Sequence, residues 1–153
     1  MTKPTLPAQA ALRPHDVGNR PPGETPPVPD GQRFETVLAH AEALGQRVVL
    51  EGLLAVADRL GLYARPYVLS VMFTPPTNKT RMLFTVWPEA AGMRMWVAAD
   101  AFEEFFPEIS ADETRRQLGP ADQERLLDQT AAREFSAGLE RLFRRGPPSG
   151  RQV

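Results

Sequence analysis

The chain of 153 residues contains no cysteine, which excludes disulfide bonds, thiolate metal sites and a cysteine nucleophile. Histidine is nearly absent as well, since only His15 and His40 are present. Two isolated histidines build no cluster with metal-ligand spacing, and a catalytic triad would have to use His40. Lys3 and Lys79 are the only lysines, and neither a Glu-x-Lys arrangement nor a phosphate-binding Gly-x4-Gly-Lys loop occurs. The sequence therefore predicts no cofactor and no metal.

Long apolar runs are also missing. No segment approaches the eighteen apolar residues of a membrane helix, and the N-terminus lacks the basic and apolar stretches of a signal peptide. The formal net charge is −1, so the whole chain has no electrostatic signature of a nucleic-acid or anionic-membrane binder. We therefore expect a cytoplasmic protein that does not bind membranes.

Proline is abundant at both ends of the chain. Residues 1–30 hold eight prolines and almost no large apolar side chains, so burial cannot offset the entropy cost of ordering this segment. Residues 146–153 have a similar composition. We predict flexible tails at 1–30 and 146–153 around a single domain at 31–145. The chain is 42% hydrophobic, which is enough for a core in a domain of this size.

Three short apolar runs, at 66–74, 81–87 and 93–98, predict a three-stranded antiparallel meander. Side chains alternate along a strand, so each run contributes every second residue to the same face. One face is uniformly apolar, and we expect helices to pack on it. A register that gathers this face pairs Phe73 with Met82 and Val86 with Met93. The apolar face comprises Leu69, Val71, Phe73, Met82, Phe84, Val86, Met93, Met95 and Val97.

The opposite face of the predicted sheet is half polar, and we call it the mixed face. In this register Met72, Leu83 and Trp96 form an apolar row, with Arg81 and Arg94 beside Trp96. One interpretation is that a helix or a loop simply covers this row. The other is a binding surface, for a protein partner or for single-stranded nucleic acid stacked on the indole. The mixed face comprises Ser70, Met72, Thr74, Arg81, Leu83, Thr85, Arg94 and Trp96.

Amphipathic patterns predict helices on both sides of the sheet, and so an α+β fold. Two helices precede the sheet and end at Gly45 and Gly61. After the sheet, helix starts are predicted at Asp100 and Ser110, because each has a glutamate three residues later. A long C-terminal helix is predicted at 126–143. We expect it to cover the sheet, with pairing to a second copy in a homodimer as the alternative.

From these patterns we expect a small interaction or accessory module without enzymatic activity. A protein partner is preferred, bound through the mixed face and the polar loop before the second strand. The predicted binding residues are Arg81, Arg94, Trp96, Lys79, Asn78, Met72 and Leu83. The first alternative is single-stranded nucleic acid on the same face. The second is a weak metal-dependent enzyme that uses the acidic cluster after the third strand, formed by Asp100, Glu103, Glu104 and Glu108.

Overall fold

The computed structural model describes residues 33–145, so both predicted tails, 1–30 and 146–153, lie outside the described residues. This part of the chain forms an α+β fold with five helices and one five-stranded antiparallel sheet, in the order β1-β2-β3-β4-β5. In chain order the elements are α1 (Arg33–Ala43), α2 (Arg47–Arg59), β1 (Tyr63–Pro66), β2 (Val71–Thr74), β3 (Phe84–Glu89), β4 (Gly92–Val97), α3 (Ala99–Phe105), α4 (Ala111–Leu118), β5 (Arg125–Leu127) and α5 (Gln129–Arg145).

The two N-terminal helices end where the glycines predict. Gly45 and Gly61 have φ angles of 77° and 79°, a left-handed conformation that glycine adopts without steric cost. After α2, the Leu62 amide donates to the Ala57 carbonyl at 2.9 Å and the Gly61 amide donates to the Asp58 carbonyl at 3.1 Å. These two bonds satisfy carbonyls that the helix leaves without an internal donor. Both predicted helix ends are confirmed.

The sheet has five strands, and the predicted count of three is wrong. The first apolar run, 66–74, holds the last residue of β1, a turn and all of β2. The hairpin of β1 and β2 is closed by a hydrogen bond from the Tyr67 amide to the Ser70 carbonyl at 2.7 Å. Leu69 therefore lies in the turn, 36% exposed, and not on the apolar face. Pro66 tolerates its place because it ends an edge strand, where a missing amide hydrogen costs little. The fifth strand, β5, is formed by residues assigned to the C-terminal helix.

The two faces of the central strands are as predicted, but the register differs by two residues. Phe73 pairs with Phe84, and Val86 pairs with Met95. A shift of two keeps every side chain on its face, whereas a shift of one would exchange the faces. The turn between β3 and β4 has only two residues, between Glu89 and Gly92.

The core lies between the apolar face and the helices. The Phe84 ring stacks on Phe73 with centroids 4.4 Å apart, and Phe135 of α5 meets Phe84 edge-on at 5.2 Å. The C-terminal helix thus covers its own sheet, while the homodimer stays a prediction. The largest fully buried side chains are Tyr67, Phe73, Phe84, Phe102, Leu50, Leu53, Leu83, Met93, Met95, Leu139, Leu142 and Val37.

The two predicted helix starts after the sheet have different outcomes. Ser110 caps α4, since its hydroxyl accepts from the Glu113 amide at 3.0 Å. Asp100 does not cap α3, which follows β4 directly and has Ala98 at its N-cap. Glu103 instead accepts from the Ala111 amide at 3.0 Å, so it serves the start of α4. Within residues 33–145, no helix is long and apolar enough to cross a bilayer.

Candidate interaction surface

The chain's two tryptophans and two tyrosines lie on one side of the sheet, opposite the Phe73 and Phe84 rings. We call this surface the aromatic face and define it by Tyr63, Tyr67, Trp87 and Trp96. Tyr67 is buried, whereas Tyr63, Trp87 and Trp96 are each half-buried. The strand register and the alternation of side chains place these rings on the same side of the sheet, from β1, from the turn after β1, from β3 and from β4.

The apolar row of the predicted mixed face is rearranged by the two-residue shift. Thr85 lies between Met72 and Trp96, where Leu83 was expected. Met72 is 4% exposed and Leu83 is 0% exposed. These two predicted binding residues therefore belong to the core and offer no surface to a partner. Trp96 packs against the core but is only partly buried.

Arg81 does not flank Trp96. It precedes β3 in the connection from β2 and forms an ion pair with Glu104 of α3, with the Nη2 and Oε1 atoms 2.6 Å apart. Its guanidinium also lies over the Phe105 ring at 5.7 Å. The contacts tie this connection to α3, which corrects the predicted place of Arg81 on the sheet.

Arg94 lies beside Trp96 as predicted, but its charge is neutralised. Its Nε donates to Glu89 Oε2 at 2.6 Å and its Nη2 donates to Glu89 Oε1 at 2.9 Å. The Oε1 atom of Glu124 lies 3.8 Å from Arg94 Nη1. Hydrogen bonds from Arg94 lower the pKa of the Glu89 carboxyl below its ordinary value, and the same pair raises the pKa of Arg94. A guanidinium held this way is poorly placed to bind phosphate.

The polar loop before β3 contacts β1. Asn78 shapes its turn, because the Asn78 Oδ1 atom accepts from the Thr80 amide at 3.2 Å and from the Thr80 hydroxyl at 2.8 Å. The Lys79 ammonium lies 4.4 Å from the centre of the Tyr63 ring. Arg65 donates to the Lys79 carbonyl at 3.2 Å. Of the two predicted binding residues in this loop, Lys79 borders the aromatic face, whereas the Asn78 oxygen is used within the loop.

The indole nitrogen of Trp96 is buried, and its N–H has no acceptor among the described residues. A buried indole N–H normally finds a partner. Leaving a buried donor unpaired costs about 1–3 kcal/mol. Sequence patterns gave the face on which Trp96 lies but carried no signal for this unsatisfied donor.

The predicted acidic cluster is largely used in other contacts. Glu104 pairs with Arg81, and Glu103 accepts from the Ala111 amide. Asp100 instead lies near Asp122, whose pKa is raised by burial and, to a smaller extent, by the charge of Asp100. Asp122 was not among the predicted residues, and its φ of 62° is the left-handed conformation. Within residues 33–145, no group of three or more His, Asp or Glu side chains is placed to hold a metal ion.

Comparisons of the chain with models of protein families, with curated proteins and with solved structures found no match. The function is therefore inferred from the residues and geometry of the chain itself.

Proposed function

We propose that the chain is a protein-interaction module that holds an extended segment of a partner polypeptide on the aromatic face. One observation carries this function. The only tryptophans and tyrosines of the chain share one side of the sheet, and the rings of Tyr63, Trp87 and Trp96 are partly exposed there.

The chemistry of the face suits an extended peptide. Aromatic rings supply large contact areas at a small cost in side-chain entropy, and they dominate binding energy in many interfaces. An extended segment can lie along the sheet and contact the half-buried rings of Tyr63, Trp87 and Trp96. Leu126 of β5, which pairs with Arg94 and is 41% exposed, adds apolar surface at the edge of the face.

The charges on the face favour a protein over single-stranded nucleic acid. A nucleic-acid platform needs cations that are free to contact phosphates beside its stacking rings. Arg94 is held by Glu89 and approached by Glu124. Two other cations lie towards one edge of the face, the exposed Lys79 and Arg65, whose guanidinium donates to the Lys79 carbonyl. Two charges are sparse for a backbone that carries a phosphate at every nucleotide.

The test uses tryptophan fluorescence, because both tryptophans of the chain lie on the proposed face. Unstructured peptides are selected from a display library on the full chain, and the best binders are then titrated. Binding should change the emission of the wild-type chain. Trp96→Phe keeps an aromatic ring of smaller area, so we expect affinity to fall by about tenfold or less. Trp96→Ala should cost about thirtyfold or more.

Val48→Ala is the matched control, since Val48 is 73% exposed on α2, away from the aromatic face. It should bind the selected peptides as the wild-type chain does. Equal binding by Trp96→Ala, measured by calorimetry with the fold intact, would contradict the proposal. So would selected peptides that bind without changing the emission of either tryptophan.

A further inference from the structure

A concave site lies on the side of the sheet that the helices cover. It is a cleft of about 490 Å³ between the C-terminal end of α4, the strand β5 and the helix α5. Three arginines line it, Arg116, Arg125 and Arg141, together with one carboxylate, Glu134, which gives the lining a net charge of +2. Ala131 and Ala137 provide accessible apolar surface, whereas Leu118 and Phe135 are each 3% exposed and belong to the core.

Arg125 is the most buried of the three arginines. Burial lowers the pKa of its guanidinium from the ordinary value. Its Nη1 donates to the Leu118 carbonyl at 2.8 Å and to the Pro120 carbonyl at 3.4 Å. Within residues 33–145, no carboxylate forms an ion pair with Arg125. The two carbonyls orient the guanidinium through one nitrogen and leave its charge without a counterion.

The backbone next to Arg125 is shaped around the guanidinium. A Cβ at Gly119 would lie 2.9 Å from Arg125 Nη2 and 3.1 Å from Cζ. Gly119 also has a φ of 94°, which side-chain-bearing residues rarely adopt. The planar group therefore lies directly against a glycine that leaves room for it.

Arg141 is held in a similar way. Its Nε donates to the Gln117 side-chain oxygen at 2.8 Å, and among the described residues it forms no ion pair. The Gln117 side chain is itself fixed, because its Nε2 donates to Glu113 Oε2 at 3.0 Å. Arg116 differs, since it is paired with Glu113. Arg125 and Arg141 are thus two oriented guanidinium groups, at one cleft, without carboxylate partners in the described part of the chain.

We propose that this cleft binds a small organic oxyanion, with its carboxylate or phosphate group on Arg125 and Arg141 and its apolar part against Ala131. Guanidinium groups match both oxyanions through pairs of parallel hydrogen bonds. The ligand supplies the negative charge that compensates the desolvated Arg125. The cleft is separate from the aromatic face, so this site stands or fails independently of the proposed function.

The test is a titration of the full chain with inorganic phosphate and, separately, with benzoate, followed by amide and arginine side-chain NMR signals. Sodium chloride at matched ionic strength is the reference. At least one oxyanion should give saturable shifts at Gly119 and Arg125, and the anion that does so identifies the ligand class. Arg125→Lys keeps the charge but loses the planar fork, and Arg141→Gln loses the charge. Each should weaken binding by about tenfold or more.

Two further variants make the test specific. Glu134→Gln removes the only carboxylate of the lining and should tighten binding. Arg133→Gln changes an exposed arginine of α5 that borders a different groove, beside Val48, and should leave the affinity unchanged. The proposal is overturned if neither anion gives saturable shifts beyond chloride. It is equally overturned if Arg125→Lys and Arg141→Gln, both folded, bind as the wild-type chain does.

Discussion

Arg94 holds the carboxylate of Glu89 with two hydrogen bonds, from Nε to Oε2 at 2.6 Å and from Nη2 to Oε1 at 2.9 Å. The pair spans the end of the β3-β4 hairpin, whose turn lies between Glu89 and Gly92. It also stands beside Trp96, so it sets the charge of the aromatic face. The same contact therefore fastens a hairpin and removes a cation from a surface that would otherwise attract phosphate.

Glu89→Gln is expected to lower the free energy of unfolding at neutral pH by at most about 1 kcal/mol, because the pair is partly exposed. The lowered pKa of Glu89 means that the folded state releases this proton more readily than the unfolded state does. Its contribution is thus complete above the ordinary value of 4.5 and is lost as the pH falls through the folded-state value. Urea unfolding of both chains should show their difference shrinking in acid. A difference that is constant with pH would contradict the assignment.

The sequence predicts the two faces of the central strands but not their register. The faces of β2, β3 and β4 follow from alternation alone, and an error of two residues leaves them intact. The register depends on the length of the turn between β3 and β4, and the residues before β4 contain no motif that predicts a two-residue turn. The neighbours of Trp96 were consequently misassigned, with Leu83 in the place of Thr85 and Arg81 on the sheet.

The two missed strands have different causes. The predicted run at 66–74 combines the last residue of β1, the turn and β2, because the turn from Tyr67 to Ser70 contains no glycine or asparagine. The first three residues of β1, 63–65, form no apolar run and were not predicted as a strand. β5 is three residues long, and Leu126 and Leu127 fit the helical spacing of the residues that follow. The predicted site inherits these errors, while Arg94 and Trp96 were correctly placed on one face because they are two residues apart on a single strand.

The stacked pair of Phe73 and Phe84 predicts the cost of emptying the centre of the core. Phe84 is fully buried between Phe73 and the edge of Phe135. Phe84→Ala should lower the free energy of unfolding by about 3–5 kcal/mol, since it leaves a cavity that rigid neighbours cannot fill. Val48→Ala, at an exposed position, should change it by less than about 0.5 kcal/mol. Chemical denaturation measures both, and a small loss for Phe84→Ala would contradict the packing described.

Alanine substitutions at two helical glycines, Gly52 and Gly138, should change the stability of the chain in opposite directions. A Cβ at Gly138 of α5 would lie 2.2 Å from the Gln117 carbonyl oxygen of α4, whereas a Cβ at Gly52 of α2 would meet nothing within 4 Å. Gly52→Ala should therefore stabilise the chain by about 0.5–1 kcal/mol, because alanine loses less backbone entropy in a helix. Gly138→Ala should destabilise it by about 1–3 kcal/mol, because α4 and α5 must move apart. Equal effects in thermal unfolding would show that the two helices are not in this close contact.

Asp122 combines a left-handed backbone with a carboxyl group whose charge the fold disfavours. Its amide donates to the Val97 carbonyl at 2.7 Å, which fixes the backbone at a φ of 62°. Burial and the charge of Asp100 raise the pKa of Asp122. The ionised group is therefore destabilising in the folded state at neutral pH, and the penalty disappears as the pH falls through the raised pKa.

Asp122→Asn removes the charge and keeps a side chain that tolerates the left-handed conformation. We expect a gain in the free energy of unfolding at neutral pH of no more than about 0.5 kcal/mol, since Asp122 is an exposed residue whose carboxyl group is only partly desolvated. The gain should vanish in acid, where wild-type Asp122 is protonated. Asp122→Ala is the control, because it also removes the charge but carries the backbone strain of a left-handed alanine, so it should be less stable than the asparagine variant at every pH. If the gain of Asp122→Asn persists in acid, charge is not its cause, and the proximity of Asp100 and Asp122 would have no electrostatic consequence.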